Sequence, residues 1–114
     1  MYKFMDWQKE DATYGWIITK DHLAKKYNND ESEVGTYGPS TITEAIEKAL
    51  YAGKGHKFKM YDDDGELYYS GRIVIDGEPD YYELVAPLRD FGTPNAGAVR
   101  VDYKNHPEWN EEWY

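Results

Sequence analysis

The residues best suited to chemistry form an acidic run, Asp62-Asp63-Asp64-Gly65-Glu66. A run of carboxylates can bind Ca²⁺ when it follows the EF-hand spacing, with glycine at the sixth position and a bidentate glutamate at the twelfth. Counted from Asp62, the glycine comes fourth and the twelfth residue is Ile73, whose side chain has no oxygen. The spacing therefore favours a plain hairpin turn over a calcium loop, and we expect no metal site.

Other catalytic groups are present but do not form a recognisable site. His22, His56 and His106 share no zinc-binding spacing, and the chain has no cysteine. The serines lack a nucleophile-elbow sequence, and the glycines of residues 53–56 do not form a phosphate-binding loop. Carboxylates are abundant, but a turn tip lacks the shelter that raises the pKa of a general acid. We expect no catalytic residue and no cofactor, and an enzyme that uses a carboxylate pair is only the third hypothesis.

The negative charge of the chain is concentrated in one stretch. The net charge is −9, and residues 60–83 alone contribute −7, from eight acidic side chains and one basic one. Such a concentration repels nucleic acid and lipid head groups and attracts basic protein surfaces. The basic residues are outnumbered and unclustered apart from the short run at residues 54–59. We therefore expect neither direct nucleic-acid binding nor membrane binding.

We interpret the acidic stretch as one outward surface for a basic protein partner. Side chains two residues apart on a strand are about 6.6 Å apart, which is comparable to the spacing of neighbouring phosphates. A row of carboxylates can therefore occupy a groove built for DNA or RNA, and tyrosines add contact area at a low entropic cost. The predicted partner-binding residues are Asp62, Asp63, Asp64, Glu66, Asp76, Glu78, Asp80, Tyr81, Tyr82 and Glu83. A solvated acidic face that serves only solubility is the competing interpretation.

A predicted β-hairpin over residues 57–76 carries the acidic run at its tip, because polar and apolar side chains alternate on both arms. A loop of two or four residues keeps the apolar side chains on one face of the hairpin, whereas a three-residue loop would divide them between the two faces. We prefer the four-residue loop. It also avoids placing Lys57 directly opposite Arg72, so we expect Lys57 to pair with Ser70. The opposite face of the hairpin should be partly wet and should carry Tyr61, Tyr68, Lys59 and Arg72.

The strongest helix signal covers residues 41–52. Thr41 and Glu44 have the spacing of a capping box, and Gly53 stands where a left-handed residue ends a helix. Apolar residues recur with the helical period at Ile42, Ala45, Ile46, Ala49 and Leu50. We expect this helix to pack on the apolar face of the hairpin.

The remaining elements are shorter. Before the main helix, the sequence predicts a strand over residues 14–19, an Asp21-capped helix to Tyr27 and a loop over 28–39. After the hairpin, it predicts a helix that begins at Pro79 and ends near Val85 or Ala86, and then a turn over 91–97. A strand over 99–103 and a helical turn over 107–114 follow. A strand is the alternative for residues 81–86. The predicted fold is a single α+β domain spanning residues 1–114, with roughly four mostly antiparallel strands, a central hairpin and one main helix on one face.

Two stretches of the sequence carry a resemblance. FKMYDDDGELYYSGRI (58–73) followed by PLRDFGTPNAGAV (87–99) resembles a motif pair of small, acidic, uncharacterised proteins from Gram-positive bacteria and their phages and plasmids. In size and charge the chain is also similar to anti-CRISPR and anti-restriction proteins, several of which mimic nucleic acid. The resemblance implies an inhibitor from a mobile element.

These observations lead to two main hypotheses. The first is a non-enzymatic inhibitor that binds a basic nucleic-acid groove of a bacterial defence protein through residues 62–83. The second is a small adaptor or ligand-binding module that recognises a protein or small ligand through aromatic residues near Phe91–Gly97. The chain has no cysteine, no leader-like start and no long apolar run, so we expect a cytoplasmic protein.

Overall fold

The computed structural model of the protein describes residues 12–27 and 31–113. The strands are β1 (Tyr14–Asp21), β2 (Tyr37–Gly38), β3 (His56–Tyr61), β4 (Leu67–Ile75), β5 (Arg100–Tyr103) and β6 (Glu111–Glu112). The helices are α1 (His22–Lys26), α2 (Glu44–Tyr51), α3 (Tyr81–Leu84) and α4 (Thr93–Ala96), with a π-helical turn at Leu88–Gly92 and a 3-10 turn at Pro107–Trp109. The strands form one antiparallel sheet in the order β2-β1-β4-β3-β5-β6.

The α+β class and the antiparallel sheet are confirmed, but the predicted strand count was too low. The two strands that the sequence did not indicate, β2 and β6, have two residues each and are too short to show a period. The predicted terminal helical turn is limited to Pro107–Trp109. Residues 28–30 of the predicted loop and Tyr114 lie outside the described residues. Within the described ranges, none of the helices has the length and apolar character needed to cross a bilayer.

The hairpin is confirmed, but its predicted register is wrong. Lys57 lies opposite Arg72, and the register shifts between Met60 and Tyr61, so that Tyr61 pairs with Leu67. Tyr68 is therefore the extra residue of a β-bulge. The hairpin loop has three residues and is closed by a hydrogen bond from Asp62 N–H to Glu66 O at 3.0 Å. Because the bulge adds one residue to β4, the apolar side chains of both strands still lie on one face. The prediction assumed a ladder without a bulge.

Two apolar clusters lie on opposite faces of the sheet. The larger one includes Phe58 and Met60 of β3 and the facing residues of four other segments, namely Trp16, Ile18, Tyr69, Ile73, Val101, Tyr103, Leu84, Val85, Leu88 and Phe91. The smaller one joins Ile17 to Ile46 and Leu50, with Ile42 and Val74 at its edge. Strand β1 is thus buried on both faces, because Trp16, Ile17 and Ile18 are consecutive and all covered.

The main helix covers the smaller cluster, so the prediction that it packs on the apolar face of the hairpin is wrong. A side chain at Gly15 would place its Cβ only 2.6 Å from Ile46 Cγ2, so glycine permits the close approach of α2 to β1. The predicted capping box is also wrong: Thr43, and not Thr41, is the N-cap, and its Oγ1 accepts from Ile46 N–H at 3.2 Å. Gly53 ends the helix in the left-handed region, as predicted (φ 85°).

The apolar face of the hairpin is covered by residues 84–98. Helix α3 forms where a strand was the alternative, and Asp80 caps it, although the sequence placed the helix start at Pro79. The stretch predicted as a turn, residues 91–97, instead completes the π-helical turn and α4, which ends at Gly97 with φ 79°. Tyr103 fastens this segment to the sheet, because its hydroxyl donates to Leu84 O at 2.6 Å.

The Tyr103 hydroxyl gives a test of how residues 84–98 are held on the sheet. Tyr103→Phe should lower the free energy of unfolding by about 1–3 kcal/mol, because the buried carbonyl of Leu84 loses this donor. Tyr81→Phe is the matched control, since Tyr81 is 53% exposed. Urea unfolding followed by circular dichroism would measure both, and an equal loss in the two variants would contradict the assignment.

Candidate functional site

The structure places the predicted acidic surface at two opposite ends of β4. The hairpin tip precedes Leu67 and Asp76 follows Ile75, and the nine-residue strand between them spans roughly 30 Å at about 3.3 Å per residue. The prediction of one outward patch is therefore wrong, because an extended strand holds its two ends apart. The acidic residues form two separate surfaces.

At the hairpin tip, two of the acidic side chains already bind other groups of the protein. Asp62 Oδ1 accepts from the N–H groups of Glu66 at 2.8 Å and Asp64 at 2.9 Å, and the pKa of Asp62 is lowered, chiefly by the Glu66 N–H. Glu66 pairs with Lys26 at 2.7 Å. The carboxylate oxygens of Asp62, Asp63 and Asp64 lie within 4.8 Å of one another. Asp63 and Asp64 are the exposed acids of this tip.

At the other end of β4, the predicted residues divide between structural and exposed roles. Glu83 is only 6% exposed and accepts from the Thr13 hydroxyl, so it does not belong to an outward surface. Asp80 Oδ1 accepts from Glu83 N–H at 3.0 Å and caps α3. Tyr82 is exposed, but the Arg89 guanidinium lies 4.0 Å from its ring centroid. The remaining predicted residues of this end, Asp76, Glu78 and Tyr81, are exposed.

The segment 91–97, through which an adaptor was predicted to bind its ligand, packs into the core. Phe91 is 7% exposed and packs against Trp16 and Tyr69 in the larger cluster. Asn95 Nδ2 donates to the Tyr69 hydroxyl at 2.8 Å, which ties α4 to the sheet. The segment 91–97 therefore serves the core, and Phe91, its one aromatic residue, offers little surface for the ligand that the adaptor hypothesis requires.

The site that the sequence did not reveal lies on the sheet face opposite the larger cluster, beyond the part covered by α2. We call it the open face and define it by five cations, which are Lys20, Lys57, Lys59, Arg72 and Lys104. The register brings them together, since Lys57 lies opposite Arg72 and both Lys20 and Lys59 lie opposite Ser70. Lys104 N–H donates to Lys57 O at 2.9 Å. These residues line a concave pocket of about 580 Å³.

The open face is strongly positive. Among the described residues, the lining includes one carboxylate, Asp102, and that group accepts from Arg100 Nε at 3.1 Å. The four lysines are exposed and form no salt bridge within residues 12–27 and 31–113. Arg72 Nη1 donates to the carbonyl oxygens of Leu50 at 2.8 Å and Lys54 at 3.0 Å. The prediction that the basic residues are unclustered is therefore wrong in three dimensions.

Two rings extend the chemistry of the open face. Tyr61 lies on the same side of β3 as Lys59, and the Arg100 guanidinium is 4.6 Å from its ring centroid. His22 Nε2 is 2.9 Å from Ser70 Oγ, and partial burial, followed by the charges of Lys20 and Lys59, lowers its pKa. The ammonium groups and the imidazole of this face can donate hydrogen bonds to an anion, and the Tyr61 ring adds a planar surface beside them.

The histidines predict how stability depends on pH. The pKa values of His22 and His56 are lowered, in both cases mainly by partial burial. Each group therefore binds a proton more readily in the unfolded chain, where its pKa is about 6.5. The free energy of unfolding should have its highest value above pH 6.5 and should decrease as the pH is lowered from 6.5 towards 5.

Urea unfolding at pH 7.5 and pH 5.5 would measure this dependence. The variant His22→Gln/His56→Gln should lose less stability between the two pH values than the unmodified chain. An identical pH dependence in both proteins would contradict the assignment.

The two sequence stretches that carry the resemblance form the β3–β4 hairpin and the segment that covers its apolar side. The resemblance to small acidic proteins of phages and plasmids stays a prediction. No protein-family model matches this chain, and no curated protein or solved structure is significantly similar to it.

Proposed function

We propose that the protein is a non-enzymatic binding protein whose ligand is an anion bound on the open face. One observation carries the proposal. In a chain of net charge −9, five cations surround a pocket of about 580 Å³ whose one described carboxylate is already bonded to Arg100. A volume of this size lies within the range of about 300–1,000 Å³ that is usual for ligand sites.

The arrangement also carries an energetic cost that a ligand would offset. Like charges directly opposite each other on neighbouring strands are destabilising, and Lys57 faces Arg72 across the ladder. The chain has 22 acidic residues, yet the four lysines of the open face have no ion pair in the described parts of the chain. An anion bound among them would relieve the repulsion and stabilise the fold by mass action.

Inorganic tripolyphosphate is a suitable probe, because it supplies dense negative charge with no other chemistry. It should raise the melting temperature of the protein and should raise the pKa of His22, since the bound anion counters the charges of Lys20 and Lys59. Proton NMR of the His22 ring, recorded across pH, would measure the second effect.

Removal of two lysines makes the test specific. Lys59→Gln/Lys104→Gln should weaken tripolyphosphate binding by up to about thirtyfold, since each exposed charge pair contributes up to about 1 kcal/mol. Lys48→Gln is the matched control, because Lys48 is exposed on α2 and pairs with Glu44 at 3.1 Å. Absence of binding, or equal weakening in the control, would refute the proposal.

An inhibitor of a nucleic-acid-binding defence protein is the second candidate, and the hairpin tip favours it. Asp63 and Asp64 are exposed beside Asp62 and form a compact negative surface. This tip alone would enter the basic groove of the partner, without the residues beyond β4. Electrostatic attraction of this kind weakens as the salt concentration rises.

Charge reversal at the tip tests the inhibitor hypothesis. Asp63→Lys/Asp64→Lys should abolish salt-sensitive capture of basic proteins from a bacterial host lysate. Glu78→Lys, which changes an exposed acid at the far end of β4, should leave that capture intact. Equal capture by the unmodified chain and the tip variant would eliminate this candidate.

A further inference from the structure

The cations of the open face form two rows that cross the strands. One row runs over three neighbouring strands, with Arg72 on β4, Lys57 on β3 and Lys104 just after β5. The other row has Lys20 on β1 and Lys59 on β3, with Ser70 between them. The rows are separated by about 6.6 Å, which is two residues along a strand. Each row covers two strand intervals, and the two rows together cover three, or about 14 Å, from β1 to β5.

An aromatic surface lies beside these rows. Tyr61 is two residues beyond Lys59 and its side chain is on the same face. The ring and the Arg100 guanidinium are 4.6 Å apart, so both are planar surfaces at one margin of the positive array. Nucleobases stack on aromatic rings and on guanidinium planes, and this stacking tolerates different base sequences.

We propose that the open face binds a single-stranded nucleic acid, which crosses the strands of the sheet with its phosphates on the lysine rows and a base against Tyr61 and Arg100. This inference rests on the proposed anion-binding function and names its ligand class. Neighbouring positions in a row are one strand interval apart, about 4.8 Å, and the flexible lysine stems let the ammonium groups reach successive phosphates of a strand that crosses in this direction. The array of cations is also longer than the phosphate chain of a mononucleotide, so a bound mononucleotide would leave one end of the array unoccupied.

The acidic surfaces explain why a single strand fits better than a duplex or a membrane. The hairpin tip and the residues after Ile75 stand at the two ends of β4, on either side of the open face. A rigid duplex or a lipid surface would bring many phosphates against these carboxylates, and like charges repel it. A short flexible strand that crosses the sheet between the two acidic ends avoids them.

Fluorescence anisotropy with labelled eight-nucleotide RNA and DNA strands tests the inference. The logarithm of the binding constant should fall with the logarithm of the salt concentration with a slope of about −2, the value for three neutralised phosphates on a single strand. Lys57→Gln/Lys59→Gln should make the slope shallower, by up to about 1.4 if two phosphate contacts are lost. Lys48→Gln should leave affinity and slope unchanged. A preference for RNA or for DNA identifies the strand, and either result supports the inference.

The aromatic contact has a test of its own. Tyr61→Leu should weaken oligonucleotide binding by about tenfold, because a stacked base is lost, and should leave tripolyphosphate binding unchanged. Tighter binding of a duplex or of anionic vesicles than of the single strand would overturn the inference. So would tripolyphosphate binding without oligonucleotide binding, although the proposed function would then survive. Absence of binding to either probe would refute both.

Discussion

The contact between Arg72 and the carboxyl end of α2 governs the arrangement of this protein. The guanidinium donates to the carbonyl oxygen of Leu50, in the last turn of α2 at the negative end of the helix dipole, and to that of Lys54 in the loop that follows. This interaction lets Arg72 stand opposite Lys57 in the middle of the sheet. It also fixes α2 over the β1–β4 end of that face and leaves the rest uncovered.

The alternation of side chains along the strands produces both the buried core on one face of the sheet and the positive charge on the other. The period of two residues in β3 sends Phe58 and Met60 into the core, and it sends Lys57 and Lys59 to the opposite side. Residues 84–98 cover most of the apolar side, and Trp109 and Trp113 pack at its edge, whereas α2 covers only part of the polar side. The positive pocket is therefore built by the same strands that hold the core together.

Sequence reasoning succeeded where the signal was local. The alternation of buried Val101 and Tyr103, and the Asp21 carboxylate that accepts from Ala24 N–H, each depend on neighbouring residues. The bulge at Tyr68 was missed because a parity argument assumes that each residue has one partner. The position of α2 was missed because its apolar partners, Ile17 and Val74, come from separate strands.

The candidate site was missed for a stronger reason. Lys20 and Lys104 lie near opposite ends of the chain, and only the strand order β1-β4-β3-β5 brings them to one surface. A charge count along the sequence averages such residues with their acidic neighbours and hides them. The acidic stretch caused the opposite error. Its eight acidic residues are close in sequence and were predicted to form one surface, but the nine-residue strand β4 separates them into two groups.

Among residues 12–27 and 31–113, the outermost strands of the sheet are β2 and β6, with only two residues each. A border this short exposes few free backbone donors and acceptors, so another chain has little ladder on which to add. Strand-by-strand growth into fibrils is thereby discouraged in a protein whose tyrosine-rich strands would otherwise favour it.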